Sequence, residues 1–184
     1  MRKIVIRAAL GLSIIGAGVA MVSQASAAQH RLQNKANRSM YLGVQGGAVG
    51  PHNPYVPLGM QIVVWQIGGD DQKWNMPDEN GYGPISNFYI TQGGQACLAV
   101  QGNSHTQGAN LVVGLCGGQP EQTWQIFPAY KFGKGADYNG CYIIYNTSTG
   151  MAAGVSGGNG NVKNGGKVIQ WPSDKSDNQF WCEV

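Results

Sequence analysis

The stretch "DNQFW" (177–181) near the end of the chain repeats a pattern set down twice before, as "DDQKW" (70–74) and "PEQTW" (120–124). Each time a Gln follows an acidic or amide residue, and a Trp stands two positions after the Gln. The three Trp residues, Trp74, Trp124 and Trp181, are separated by 50 and 57 residues. Self-similarity at such a period marks a chain assembled from repeated supersecondary units.

Working outward from each Gln-x-Trp, a second signature recurs upstream: Leu42-Gly43-Val44, Leu98-Ala99-Val100 and Ala153-Gly154-Val155. Each closes a stretch with an apolar strand, an Asn/Gly/Ser turn and a second strand: "RLQNKANRSMYLGV", "FYITQGGQACLAV" and "YIIYNTSTGMAAGV". These are hairpin signals with the residues that tight turns demand. A third strand follows, "MQIVVW", "ANLVVGLC" and "GKVIQW", ending at Trp65, near Gly114-Leu115, and at Trp171. The first copy is the longest because "GPHNPYVPLG" (50–59) is inserted as a loop. No stretch carries the 3.6-residue period of a long amphipathic helix.

Four short strands cannot bury an apolar face alone, so three such units must pack about one axis. The expected fold is therefore all-β: a β-trefoil with pseudo-threefold symmetry, its repeats at about 28–80, 81–130 and 137–184. Each Gln-x-Trp then sends an indole into the common core, where such a ring buries on the order of 150–250 Å². The neighbouring Gln is expected to hold backbone groups that the strand-to-turn transition leaves unpaired.

The first 27 residues read as a cleaved secretory leader. Arg2, Lys3 and Arg7 precede an apolar run from Ala8 to Val22, and Ala25-Ser26-Ala27 supplies the small residues of a cleavage site. That run is too short for a membrane span, so no stable membrane insertion is expected. Without the leader, nine of the twelve Lys and Arg remain against nine Asp and Glu, and the mature chain (28–184) is near neutral. It lacks the clustered basic stripe of a nucleic-acid binder. In an oxidising compartment, Cys97, Cys116, Cys141 and Cys182 are expected to form disulfides. Three pairings are open, and 97–116 with 141–182 is favoured.

On the three Gln-x-Trp motifs, the chain resembles the ricin-type (R-type) lectins over essentially all of 29–184. The resemblance implies a β-trefoil that binds galactose-type or other sugars in shallow sites, up to one per repeat. It matches Cys97, in "CLAV", and Cys116, in "VVGLC", to the family's intra-repeat disulfide. It further implies that each sugar site takes four contributions from one repeat. These are an Asp in a C-L-D-V stretch, an aromatic ring on the third strand, and an Asn and the Gln before the Trp. The chemistry fits a pyranose, which offers one C–H-rich face to a flat ring and a rim of hydroxyls to hydrogen-bonding groups.

Transferred residue by residue, the third repeat keeps Trp171, Asn178 and Gln179, and the first keeps Trp65, Asp71 and Gln72. The second has lost the aromatic at Gly114 and keeps Glu121 and Gln122. The Asp position holds Gly43, Ala99 and Gly154, so all three repeats lack that carboxylate. A substitute acceptor is sought in the loops, at His52, Asn53 and Tyr55 or at Asn159, Asn161 and Asn164, although Asn gathers in turns for purely conformational reasons. Trp65 and Trp171 read either as stacking platforms or as rings buried under a loop. Asp71 and Asn178 read either as ligand contacts or as turn caps.

The expectation is a secreted lectin without cofactor, metal or catalytic residues, whose partners are glycans or glycoconjugates. The alternative is a protein-interaction subunit of a multi-component toxin or surface complex. No paired carboxylates suggest glycoside hydrolysis, and Ser104-His105 is adjacent in sequence without a third orienting group. "AYKFGKGAD" (129–137) reads as the linker between repeats two and three, with a small anion-binding patch as the lesser alternative.

Overall fold

A computed structural model describes residues 29–46 and 55–184. The leader read over 1–27 and the loop residues His52 and Asn53 lie outside the described residues. The chain is all-β, with strands joined by short 3₁₀ turns. The first repeat supplies β1 (His30–Asn34), β2 (Met40–Val44), β3 (Ile62–Gln66) and β4 (Lys73–Asn75). The second supplies β5 (Tyr82–Gly83), β6 (Ser86–Thr91), β7 (Gly94–Val100), β8 (Leu111–Leu115) and β9 (Trp124–Pro128). The third supplies β10 (Cys141–Asn146), β11 (Ala152–Val155), β12 (Gly166–Trp171) and β13 (Phe180–Glu183).

The first and fourth strands of the repeats form a barrel. Antiparallel ladders run β6–β4–β1–β13–β10–β9. The remaining seam is bridged by β5, which pairs with β9. Pro84 has no N–H to give a ladder, which separates β5 from β6 and gives this repeat an extra strand. The hairpins β2–β3, β7–β8 and β11–β12 cap the barrel. They join one another at Gln61↔Val112, Asn110↔Ile169 and Lys167↔Val63, three contacts that map onto each other by a one-third turn. The fold is the expected β-trefoil.

Trp74, Trp124 and Trp181 are fully buried, each 0% exposed. Each indole N–H also donates to the carbonyl one residue before the Gly/Ala position of the second strand: Leu42 at 3.0 Å, Leu98 at 2.9 Å and Ala153 at 2.9 Å. The bond satisfies the one polar atom of each ring, so burial carries no penalty from an unmade hydrogen bond. Trp74, Trp124 and Trp181 share the main apolar cluster with Leu32, Leu42, Leu98, Ile126 and Ile144.

A satellite cluster holds Ala129, Ile143, Phe180 and the Cys141–Cys182 disulfide, with Phe132, Tyr138 and Tyr145 packed on it. The linker between repeats two and three is therefore structured, as two 3₁₀ turns over Ala129–Phe132 and Ala136–Tyr138. Its lysines lie over rings, Lys131 on Phe127 and Lys134 between Tyr138 and Phe180. The second disulfide is Cys97–Cys116. Among the described residues, no helix is long and apolar enough to cross a membrane.

Candidate functional site: two clefts beside the Gln-x-Trp turns

Each Gln-x-Trp is preceded by one 3₁₀ turn: Asp70–Gln72, Pro120–Gln122 and Asp177–Gln179. The three Gln side chains are buried and do the same work. Gln72 donates to the Gln66 carbonyl (2.8 Å) and accepts from the Gly68 N–H (2.8 Å). Gln122 donates to the Leu115 carbonyl and accepts from Gly117. Gln179 donates to the Pro172 carbonyl and accepts from the Asp174 and Lys175 N–H groups. Each amide thus braces the chain leaving the third strand against the turn that follows, the backbone-holding role expected of it.

The first cleft, about 350 Å³, is lined by Val44, Gly46, Trp65, Gly68, Gly69, Asp71 and Gln72. Trp65 is 50% exposed and so stands as an open ring, not one buried under a loop. Its Cζ3 atom approaches to 3.3 Å of where a Cβ would be at Gly165, in the turn before β12. The N–H of Gly165 donates to the Val64 carbonyl at 2.9 Å, so the third repeat supports one side of the first repeat's ring. At the back of the cleft Asp71 is only 4% exposed, and its Oδ2 accepts from the Val44 N–H at 3.3 Å. Burial raises the Asp71 carboxyl above its ordinary value, while the Val44 N–H and the Arg31 charge pull it down.

The third repeat holds an equivalent cleft of about 330 Å³, where Trp171 and Gly154 face Asp174, Asn178 and Gln179. Trp171 is 40% exposed and meets the site of a Gly108 Cβ at 3.6 Å. The Gly108 N–H donates to the Gln170 carbonyl at 2.8 Å, so here the second repeat supports the ring. Asn178 is 6% exposed. Its amide nitrogen donates to the Val155 carbonyl (2.9 Å), and its amide oxygen accepts from the Ser176 hydroxyl (2.5 Å). Asp174, on the chain after Trp171, is exposed and supplies the carboxylate of this cleft. The Ser176 hydroxyl, whose one proton Asp174 shares with Asn178, and the Ser176 N–H hold Asp174 below its ordinary value.

Strand register puts Gly114 opposite Cys97, as Trp65 lies opposite Tyr41 and Trp171 opposite Ala152. Gly114 therefore occupies the aromatic position, as read from the sequence, and the middle repeat has no ring there. A Cβ at Gly114 would stand 2.9 Å from both the Ala99 Cβ and Gln122 Nε2.

Trp65, Asp71 and Gln72 thus converge in one cleft, and Trp171, Asn178 and Gln179 in another. Asn159 approaches the third cleft through the Asn178 N–H (2.8 Å), whereas Asn164 is taken by the Gln66 N–H. Two features escaped the sequence reading. Asp174 is one. The other is a ring of buried asparagines, Asn34, Asn87 and Asn146, that tie each turn to the next repeat. They donate to the carbonyls of Asn178 (3.0 Å), Asp71 (2.7 Å) and Pro120 (3.3 Å). Their recurrence on the strand before each repeat's Asn/Gly/Ser turn was the available signal, Asn34 and Asn146 closing β1 and β10 and Asn87 lying near the start of β6. Asn146 also opens an Asn-Thr-Ser glycosylation pattern, but it is fully buried and its amide is spent, so the folded chain cannot present it as an acceptor. Among the described residues, no group of three or more His, Cys, Asp or Glu side chains is placed to hold a metal ion.

No protein-family model matches the chain, and no curated protein matches it in sequence. Solved structures do. A designed threefold-symmetric protein, ThreeFoil, is similar at TM-score 0.65 and 23% identity, over 85% of this chain and 97% of that one. An exo-beta-1,3-galactanase from Clostridium thermocellum is similar at TM-score 0.62 and 25% identity, over 85% of this chain but only 30% of the enzyme. The Rhizoctonia solani agglutinin is similar at TM-score 0.58 and 19% identity, over 86% of this chain and 94% of that one. The chain is a β-trefoil whose structural neighbours also include the Polyporus squamosus lectin and the hemolytic lectin CEL-III.

Proposed function

We propose that the protein is a secreted, ricin-type carbohydrate-binding lectin that holds sugar rings in the third-repeat cleft and, second, in the first-repeat cleft. In this reading Trp171 and Trp65 carry the apolar face of a pyranose, and the groups on the facing wall meet its hydroxyls. Those groups are Asn178 and Asp174 in one cleft and Asp71 in the other. Gln179 and Gln72 fix that wall by bracing the turn. The supporting observation is the pairing, twice over, of a half-exposed indole with a hydrogen-bonded polar wall across a cleft of sugar-ring size. Such a ring supplies flat apolar area at little conformational cost. The lectins among the structural neighbours lend it further support. The reading includes a leader over 1–27, a mature domain over 28–184 and no catalysis.

A glycan array followed by titration of tryptophan fluorescence tests it. Trp171→Ala is expected to weaken binding of the array's best glycan by about tenfold or more, the factor set by roughly 1.4 kcal/mol. Undiminished binding would remove the third cleft from the account. A blank array with a co-purifying protein would favour the interaction-subunit alternative.

A further inference from the structure

We propose that Asp71 supplies the orienting acceptor of the first cleft, its carboxylate reaching from the turn before Trp74 into the space that a side chain on Gly43 would otherwise fill. This rests on the carbohydrate reading above and says which group selects the sugar.

The geometry behind it is a trade between two positions 28 residues apart. A Cβ at Gly43 would stand 2.9 Å from Asp71 Oδ2 and 2.9 Å from Gln72 Cγ. A side chain at 43 would therefore displace both the Asp71 carboxylate and Gln72, and the carboxylate that lines this cleft comes from the turn, not from the strand. That group is held in place. Its oxygen takes the Val44 N–H, Asn87 holds the Asp71 carbonyl at 2.7 Å, and the adjoining Gln72 is pinned to Gln66 and Gly68. A carboxylate so nearly buried is costly to keep, yet it shares a cleft with the open ring of Trp65.

The third repeat shows that the fold does not need a charge there. Asn178 fills the equivalent place and reverses the polarity, donating to the Val155 carbonyl where Asp71 accepts from the Val44 N–H. That cleft carries its carboxylate elsewhere, on Asp174. The first cleft is thus suited to a neutral pyranoside whose adjacent hydroxyls donate to a carboxylate, and unsuited to acidic sugars, which the buried anion repels. The charges facing Asp71 are Arg31 from β1 and Asp70 in the same turn, with the Tyr89 hydroxyl on β6 sensing both acids.

The test uses the mature chain carrying Trp171→Ala, so that the first cleft alone reports. The probes are methyl α- and β-glycopyranosides of galactose, glucose, mannose and N-acetylgalactosamine, with binding followed by isothermal titration calorimetry. Asp71→Asn should fold, because the third repeat already runs with Asn, and should weaken the best-bound methyl glycoside by about tenfold to a hundredfold. Gly43→Asp alone should lower the melting temperature and the affinity together. Gly43→Asp with Asp71→Gly returns the carboxylate to the strand and should recover part of both, the contact with Gln72 Cγ remaining. If Trp65→Ala abolishes binding while Asp71→Asn stays within twofold of its parent, the proposal is wrong and the sugar reading stands. If no methyl glycoside binds, or Trp65→Ala changes nothing, the sugar reading of this cleft falls and the proposal with it.

Discussion

In the two outer repeats the second strand carries glycine, Gly43 and Gly154, and the third strand carries tryptophan, Trp65 and Trp171. The middle repeat reverses the assignment, with Ala99 on the second strand and Gly114 on the third. The register makes these positions diagonal neighbours on one face of each hairpin. A Cβ at Gly114 would meet that of Ala99 at 2.9 Å, and one at Gly154 would meet Gln179 Cγ at 2.8 Å. In the outer repeats the second-strand glycine leaves room for the Gln of the turn, whereas in the middle repeat the third-strand glycine leaves room for Ala99 and Gln122. Where the second strand gives way, an aromatic platform stands on the third; where it does not, the platform is lost.

The comparison presumes that the three repeats share a frame, and the frame can be broken first. Trp74→Ala, Trp124→Ala and Trp181→Ala each remove a fully buried indole and its bond to a strand carbonyl. Each is expected to cost about 3–5 kcal/mol in urea denaturation. One variant within roughly 1 kcal/mol of wild type would show that its repeat is not equivalent to the others.

A smaller effect tests the exchange itself. Gly114→Ala should destabilise by on the order of 1–3 kcal/mol through overpacking. Ala99→Gly in the same chain should return much of that loss, leaving only the displaced end of the Gln122 amide, also 2.9 Å away. Additive costs in the double-mutant cycle would mean that the two residues do not compete. By contrast, Trp65→Ala should barely move stability, since its ring is half open to water, while in the Trp171→Ala chain it should abolish the calorimetric heat of glycoside binding.

The frame was legible because it is written in large, periodic residues. Three indoles at near-equal spacing, hairpins with Asn/Gly turns, and Trp65 and Trp171 at matching offsets all follow from patterns local to one repeat. The favoured disulfide pairing also formed. What escaped depends on contacts between repeats or across turns. Asn34, Asn87 and Asn146 look like ordinary turn residues until their amides are seen crossing to another repeat. Asp174 owes its place to the extra residue between Trp171 and Asn178, compared with the step from Trp65 to Asp71. The approach of the Asp71 carboxylate to the space beside Gly43 was not legible either, because sequence gives no distance between residues 43 and 71.

The smallest expected effect distinguishes the outer repeats from each other, through pH. Burial leaves Asp71 a weaker acid in the folded protein than in the unfolded chain, with the Val44 N–H and Arg31 only partly offsetting it. The folded state therefore keeps a proton over a window in which the unfolded chain, titrating near ~3.9, has released it. This contribution to stability is fully present below the unfolded value and is lost as pH rises through the folded one. Asp137 and Asp174 are held below their ordinary values and act in the opposite sense, so the Asp71 term shows only as a difference between proteins. Relative to wild type, Asp71→Asn should gain stability as pH rises from about 4 toward neutrality and should end no less stable at pH 7. Thermal melts of the two proteins across that range measure the difference. A variant that loses stability at neutral pH would mean that the charge on Asp71 supports the fold, and that the first repeat, unlike the third, depends on an anion in its turn.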